Sequence, residues 1–268
     1  MQFAAHIFNS IDEVDFDITS YSRLKFGSGV SADAMGREMA VKFFTAHIDI
    51  LECGNCVVIP SAYNMLEIAA TLLARRFMCH LNMLLVKHGM PIVKWSNMHR
   101  TITYFSDYAH MTSQERKKML AGDSFFINKE FIHGKTLLFI DDVIITGTHE
   151  EKIREFLVKE NISNRCVYLY YCKYTGNCPE TEAKLNACGV NDANTYLDLI
   201  NEPEHQIIVR TCKFLLNGSK HQLLDVLHRA PKGFSSQLYT ACILEEYHDV
   251  PRYRENMELI RKYAEMVS

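Results

Sequence analysis

Short unbroken apolar runs alternate along the chain with longer stretches whose apolar residues recur every three or four positions, and this alternation persists to about residue 172. After an irregular start, Met35, Met39, Phe43, Ala46 and Ile50 fall on one helical face, with Ser31 placed to cap the helix. Cys56, Val57, Val58, Ile59 and Pro60 read as a short buried strand. Leu66, Ala69, Ala70, Leu73 and Phe77 then make a helical stripe, and residues 81–86 read as the next strand. Strand, helix and strand in that order form a βαβ unit, which implies a parallel sheet.

Residues 88–129 interrupt the pattern. Trp95, Tyr104 and Tyr108 are scattered there among Arg100, Arg116, Lys117 and Lys118, and so long an excursion inside a compact domain reads as a functional loop or an insertion. Regularity returns at Thr136, Leu137, Leu138, Phe139 and Ile140, a strongly apolar strand that ends on Asp141 and Asp142. A helix bearing Ile153, Phe156 and Leu157 on one face follows, and then a strand over residues 166–171. Beyond it the pattern is helical, over residues 203–216, 219–228, 234–246 and 251–266. The change of character falls between residues 173 and 200. The expected organisation is an α/β domain over residues 1–190, an open parallel sheet flanked by helices with an inserted loop region at 88–129. A C-terminal α-helical appendage over residues 191–268 completes it.

Composition narrows the function classes. At 48% hydrophobic and 23% charged the chain reads as soluble and globular. Acids interrupt residues 1–16, so no secretory signal is expected, and no run approaches the roughly 20 apolar residues of a membrane span. Nine cysteines without a secretory signal read as reduced thiols, which points to the cytoplasm. A net charge of −3 argues against a nucleic-acid coat protein, while leaving room for a local basic pocket. Neither a nucleic-acid nor a membrane partner is expected.

The chemistry concentrates after the strand at 136–140. In an open α/β sheet, ligands bind at the carboxyl ends of the strands, which is where Asp141 and Asp142 stand. Thr146, Gly147 and Thr148 can offer consecutive backbone N–H groups and two hydroxyls beside a helix N-terminus, an arrangement that favours a phosphate. Two carboxylates next to a phosphate cradle suit a ligand with vicinal hydroxyls and a phosphate, such as a sugar phosphate. The bland alternative is an aspartate pair that merely ends a strand, with Thr146 as a helix cap.

Over residues 138–150 the chain resembles the ribose-phosphate signature of the type I phosphoribosyltransferases, and the resemblance in fold extends over roughly residues 25–172. It implies a Mg2+-dependent enzyme that uses 5-phosphoribosyl-1-pyrophosphate (PRPP), transfers its phosphoribosyl group to a small, nitrogenous acceptor and releases pyrophosphate. It implies that Asp141 and Asp142 act as the catalytic acids, binding the ribose hydroxyls directly or through Mg2+. Ile145, Thr146, Gly147, Thr148 and His149 would then wrap the 5-phosphate, with Val143 and Ile144 beside them among the substrate-binding residues. Ser61, Ala62, Tyr63 and Asn64 occupy the place of the pyrophosphate loop, without its usual Arg and Gly, so Lys87, Arg100 or the cluster at 116–118 would have to supply positive charge. That cluster also reads as a solvated helix face.

The family commonly has Thr at Ile145 and at His149 and a small residue at Thr148. His149 could donate to the phosphate or simply cap the helix. In the branch that uses 6-oxopurines an acid stands at the place of Ile145, so hypoxanthine or guanine is disfavoured. The ending Thr146-Gly147-Thr148-His149-Glu150 also resembles that of a divergent bacterial branch found near tellurium-resistance-type genes. The departures support an alternative from another class, a catalytically reduced PRPP- or nucleotide-binding regulatory protein.

A phosphatase or kinase is less well supported, since there is no Walker-type loop. Cys53 and Cys56 could grip a metal or cycle as a dithiol, but read better as buried or incidental thiols, and Cys172 and Cys178 are differently spaced. His205, His221 and His228 show no metal-binding spacing and read as surface or packing residues. The helical tail could form a lid, a homodimer contact or a docking surface.

Overall fold

The computed structural model describes residues 1–100, 125–178 and 180–267. Its main sheet has five strands in the order β1-β7-β6-β2-β3. These are β1 (Gln2–Phe8), β2 (Cys56–Pro60), β3 (Lys94–Trp95), β6 (Thr136–Ile144) and β7 (Cys166–Tyr174), and every pairing between them is parallel. A second sheet pairs β4 (Met98–Arg100) with β5 (Phe125–Ile127) antiparallel. Tyr104, Tyr108, Arg116, Lys117 and Lys118 lie outside the described residues.

The central strand β2 and the first half of β6 are runs of apolar residues because both faces of the sheet are covered. Successive side chains on a strand point to opposite faces, so β6 divides itself between two cores. Leu138 and Ile140 join Met39, Phe43 and Leu73 on the face covered by α1 (Ile18–Lys25), α2 (Gly29–Ala46) and α4 (Ala69–Lys87). Leu137 and Phe139 join Ile132, Ile153 and Leu157 on the face covered by α5 (Lys129–Ile132) and α6 (Thr148–Lys159).

The tail packs a third core from α8 (Ala193–Ile200), α9 (Val209–Asn217), α10 (Lys220–Arg229), α11 (Phe234–Leu244) and α12 (Arg254–Val267). Phe26, from the turn after α1, is part of that core. The fold is therefore an open parallel α/β sheet flanked by helices, with a C-terminal helical region. Among the described residues no helix is long and apolar enough to cross a membrane.

Several local expectations change. The irregular start is the edge strand β1, paired to β7. Residues 81–86 belong to α4, whose period carries Phe77, Leu81 and Leu85 into the core; β3, at Lys94–Trp95 inside the expected loop region, completes the βαβ unit instead. Ser28 rather than Ser31 caps α2, accepting the Ser31 N–H at 3.1 Å. Ile50 sits on the separate α3 (Ile48–Glu52), and Leu66 precedes α4. The short α7 (Thr181–Ala187) and α8 fill the expected boundary, and α9 begins only at Val209.

The start of α9 is delayed because the chain before it lies against the turn after α1. The Gln206 N–H donates to Gly27 O at 2.9 Å, and a Cβ on Gly27 would stand 1.9 Å from Gln206 O. Gly27 also has φ of 99°, in the region that only glycine adopts without strain. Gly27→Ala is therefore expected to destabilise the protein by at least about 2 kcal/mol, through both the collision and the backbone strain. Thermal and urea unfolding check this, and a change below about 0.5 kcal/mol, the ordinary surface range, would refute the close approach.

Candidate functional site

Strand β6 does not stop before the acids. It stays paired with β7 as far as Ile144 and Lys173, so Asp141 and Asp142 lie inside the strand and project to opposite faces. On the α1 side, the Asp142 Oδ2 accepts from Tyr21 Oη at 2.6 Å and from the Lys25 ammonium. Lys25 and Asp142 are both buried. On the α6 side, the Asp141 Oδ2 lies 2.9 Å from His149 Nδ1, and its Oδ1 accepts the Asp142 N–H at 3.0 Å.

The two carboxyls respond differently to these settings. Burial raises Asp142 above the ordinary carboxylate range, with Lys25 opposing and the neighbouring Asp141 adding to the rise. Burial also opposes ionisation of Asp141, but the hydrogen bond and charge of His149, helped by Lys25, hold its carboxyl well below the usual range. With Nδ1–H directed at Asp141, His149 Nε2 carries a proton only as the imidazolium. That Nε2 is buried and has no hydrogen-bond partner among the described residues.

Past the acids the chain turns sharply into α6. Gly147 is the N-cap residue with φ of 77°, which permits that turn, and the Thr146 and Thr148 hydroxyls are 2.9 Å apart. Glu150 fixes the first turn of α6 to the sheet, accepting from Gln2 Nε2 at 2.8 Å, Tyr170 Oη at 2.7 Å and Arg154 Nε at 2.8 Å. The loop is thus anchored by side chains from β1 and β7.

A cavity of about 450 Å³ lies over this loop. Its lining brings together Asp141, Asp142, Val143, Ile144, Ile145, Thr146, Gly147, Thr148 and His149, with Ser61, Ala62 and Arg100 from the expected set. Tyr63 and Asn64 lie outside the lining; Tyr63 instead bridges to His99 and accepts the Arg100 N–H at 3.0 Å. The Ser61 N–H and Oγ both reach Ile140 O, at 2.9 and 3.4 Å, so the loop after β2 extends the β ladder at its first residue.

Lys87 is not near the cavity. It ends α4, whose N-cap residue Ile68 is in the lining, and a helix of 19 residues carries its far end roughly 28 Å away. The residues that sequence reasoning missed are Tyr21, Lys25 and Arg210: Lys25 and Arg210 line the cavity, and Tyr21 holds Asp142. Lys25 is 117 positions from Asp142, and no local pattern announces such a pairing. Arg210 stands on a helix of the tail, and no local pattern ties it to the acids.

Away from this site, Cys53 and Cys56 both donate to Ile50 O, at 2.8 and 3.5 Å, and burial pushes the Cys56 thiol up to about 11. That setting suits a buried thiol better than a metal-binding thiolate. His205 packs against Phe26 O at 3.2 Å, and His228 meets Tyr263.

A family model described as PRTase ComF-like matches residues 1–260. No curated protein matches the chain. Two solved structures of a hypoxanthine phosphoribosyltransferase from Staphylococcus aureus show a distant likeness. The tetragonal form is 11% identical, covering 53% of this chain and 73% of that one at a TM-score of 0.31. The orthorhombic form is 10% identical, covering 56% and 77% at 0.33.

Two consequences of the acid pair can be measured. Asp141 is held low in the folded chain and returns to about 3.9 when unfolded. Its contribution to stability is thus present above that value and lost as pH falls through the folded value. His149→Ala should move the acid-unfolding midpoint to higher pH; Asp142 has the opposite sign but is common to both proteins. Coincident acid transitions would exclude the Asp141–His149 coupling. Separately, Lys25→Met strands Asp142 and should cost about 3–5 kcal/mol, much of it recovered in the double variant Lys25→Met/Asp142→Asn. Equal losses in the single and double variants, read by urea unfolding, would rule out the buried pair.

Proposed function

The chain belongs to the ComF-like phosphoribosyltransferase family, and from that membership we propose that it binds PRPP with Mg2+ and transfers the phosphoribosyl group to a small nitrogenous acceptor, releasing pyrophosphate. One observation carries the reading: a single cavity gathers the Ile145–His149 turn, the acid pair, and three cations from separate elements, Lys25, Arg100 and Arg210. Anion-binding groups and acceptor-only carboxylates in one space match a ligand that is phosphate at its ends and hydroxyl in its middle.

In this reading the 5-phosphate lies on the backbone N–H groups at the start of α6, where the helix dipole is positive. His149 Nε2 donates to it when the ring is charged. Asp141 accepts from the ribose hydroxyls, while Asp142 holds Lys25 toward the leaving group. The C1–O bond breaks with oxocarbenium character, and Lys25, Arg210 and Arg100 offset the charge that gathers on pyrophosphate. No covalent nucleophile is required, so acceleration rests on positioning and electrostatics.

The donor set suits Mg2+, a hard cation held by one or two carboxylates together with substrate phosphates. Asp141 is the better holder, because its side chain is the more exposed of the two, whereas Asp142 is buried against Lys25 and Tyr21. Among the described residues no three His, Cys, Asp or Glu side chains gather as a cage, so donor oxygens and water would supply its other ligands. When bound, Mg2+ supplies neutralisation of the leaving pyrophosphate.

The second reading, a PRPP- or nucleotide-binding regulatory protein with reduced catalysis, draws support from Ser61, whose N–H and hydroxyl are turned to Ile140 rather than toward the cavity. The titration that tests the main reading is Mg2+-dependent PRPP binding. Asp141→Asn/Asp142→Asn is expected to weaken it by about 10–100-fold, and unchanged affinity would remove the assignment. Pyrophosphate release separates the two readings. Transfer predicts release with at least one acceptor, whereas tight binding with release for none selects the regulatory protein.

A further inference from the structure

Beside the first cavity lies a second of about 640 Å³, bounded by the end of α1, the start of α4, and α9 and α10. It shares Lys25, Ile68, Asp142 and Arg210 with the first, so a group at the acid pair is within reach of both. The volume falls in the small-molecule range of roughly 300–1,000 Å³.

Its wall is aromatic and cationic. Phe26 and Phe214 meet edge to face at 5.3 Å, and the Arg210 guanidinium lies 5.9 Å from the centre of the Phe26 ring. Lys213 adds a second positive charge, which also acts on the buried Glu245. Asn191 and Asn217 bring amides to the lining. The carboxylate of this lining is Asp142, and it is engaged by Lys25. In a chain of net charge −3, this is a locally cationic space.

We propose that this second cavity receives the acceptor, and that the acceptor is a planar heteroaromatic ring carrying a negative charge. The proposal rests on the phosphoribosyl-transfer reading and names its substrate class. Phe26 and Phe214 accommodate the ring, Arg210 and Lys213 pair with its charge, and the amides read its edge.

Proton balance bears on the attacking nitrogen of that ring. Ile145 offers no carboxyl to take a proton from an N–H acceptor, and among the described residues the acid lining the second cavity is Asp142, which is paired with Lys25. A ring whose nucleophilic nitrogen carries a lone pair and no hydrogen, as a pyridine nitrogen does, needs no base. That lone pair forms the N–C1 bond, the C1–O bond breaks, and its electron pair leaves on pyrophosphate. No proton moves.

Isothermal titration of the full chain tests this with two matched pairs, nicotinate against nicotinamide and orotate against uracil, and with Mg-PRPP titrated separately. At least one acid is expected to bind about tenfold or more tightly than its neutral counterpart. Lys213→Gln, outside the lining of the first cavity, should weaken that acid by about fivefold or more while changing PRPP affinity less than about twofold, and Lys213→Arg should restore acid binding. Equal affinity within both pairs, no binding of either acid, or acid binding indifferent to Lys213→Gln overturns the proposal. Charge-selective ring binding without PRPP binding would uphold the cavity's preference and overturn the donor reading. PRPP binding without charge selection would do the reverse.

Discussion

Two adjacent carboxylates on a strand buried on both faces cannot share a partner, because the pleat sends them in opposite directions. Each must be satisfied separately, since an unpaired buried charge is among the most destabilising features a fold can contain. Asp142 meets Lys25 and Tyr21 from α1, and Asp141 meets His149 from α6. This constraint locates α1 on one face of β6 and the start of α6 on the other, so the same contacts that neutralise the acids also set the walls of the cavity above them.

The position of α1 in turn decides where the helical region sits. Its C-terminal turn presents Phe26 O to Thr211 Oγ1 at 3.1 Å and Gly27 O to the Gln206 N–H, while Arg23 and Ser28 both bind Glu202. These contacts bring the start of α9, and with it Arg210, to the edge of the acid pair. A second anchor works from the far side. Glu245, just past α11, accepts the Met65 and Leu66 N–H groups at 3.1 and 2.7 Å. Burial raises its carboxyl above the ordinary range, with those two hydrogen bonds opposing. The helical region thus fixes the segment between β2 and α4 as well as supplying a cation.

What could be read from the sequence was local. The apolar run at Thr136–Ile144, the acids and the Thr146-Gly147 turn are contiguous, so their chemistry and its place at the strand end were visible, as was the parallel sheet implied by alternation. Period-based reasoning failed where two patterns coincide. Residues 81–86 are apolar enough for a strand, and only the length of α4 resolves them as helix. The edge strand β1 was hidden because it is only half covered, leaving Ile7 exposed at 65%. Lys25, Arg210 and Glu245 were illegible for another reason: each contacts a residue more than a hundred positions away, Asp142, Phe26 and Leu66 in turn, and no spacing rule reaches that far.

The absent Arg and Gly of the loop after β2 acquires a physical meaning from this long-range assembly. A site for a polyanion needs net positive potential, and here the acid pair begins by subtracting from it. Lys25 and His149 face one carboxylate each, Arg154 pairs with Glu150, and Glu182 adds a further acid to the lining. Arg210 and Arg100, at the same lining, therefore add the positive charge that Lys25 and His149 alone do not supply. Moving the cations from a loop to a helix of the C-terminal region couples anion binding to the docking of that region. A chain with an overall excess of acids can therefore concentrate positive charge only when its two halves are joined.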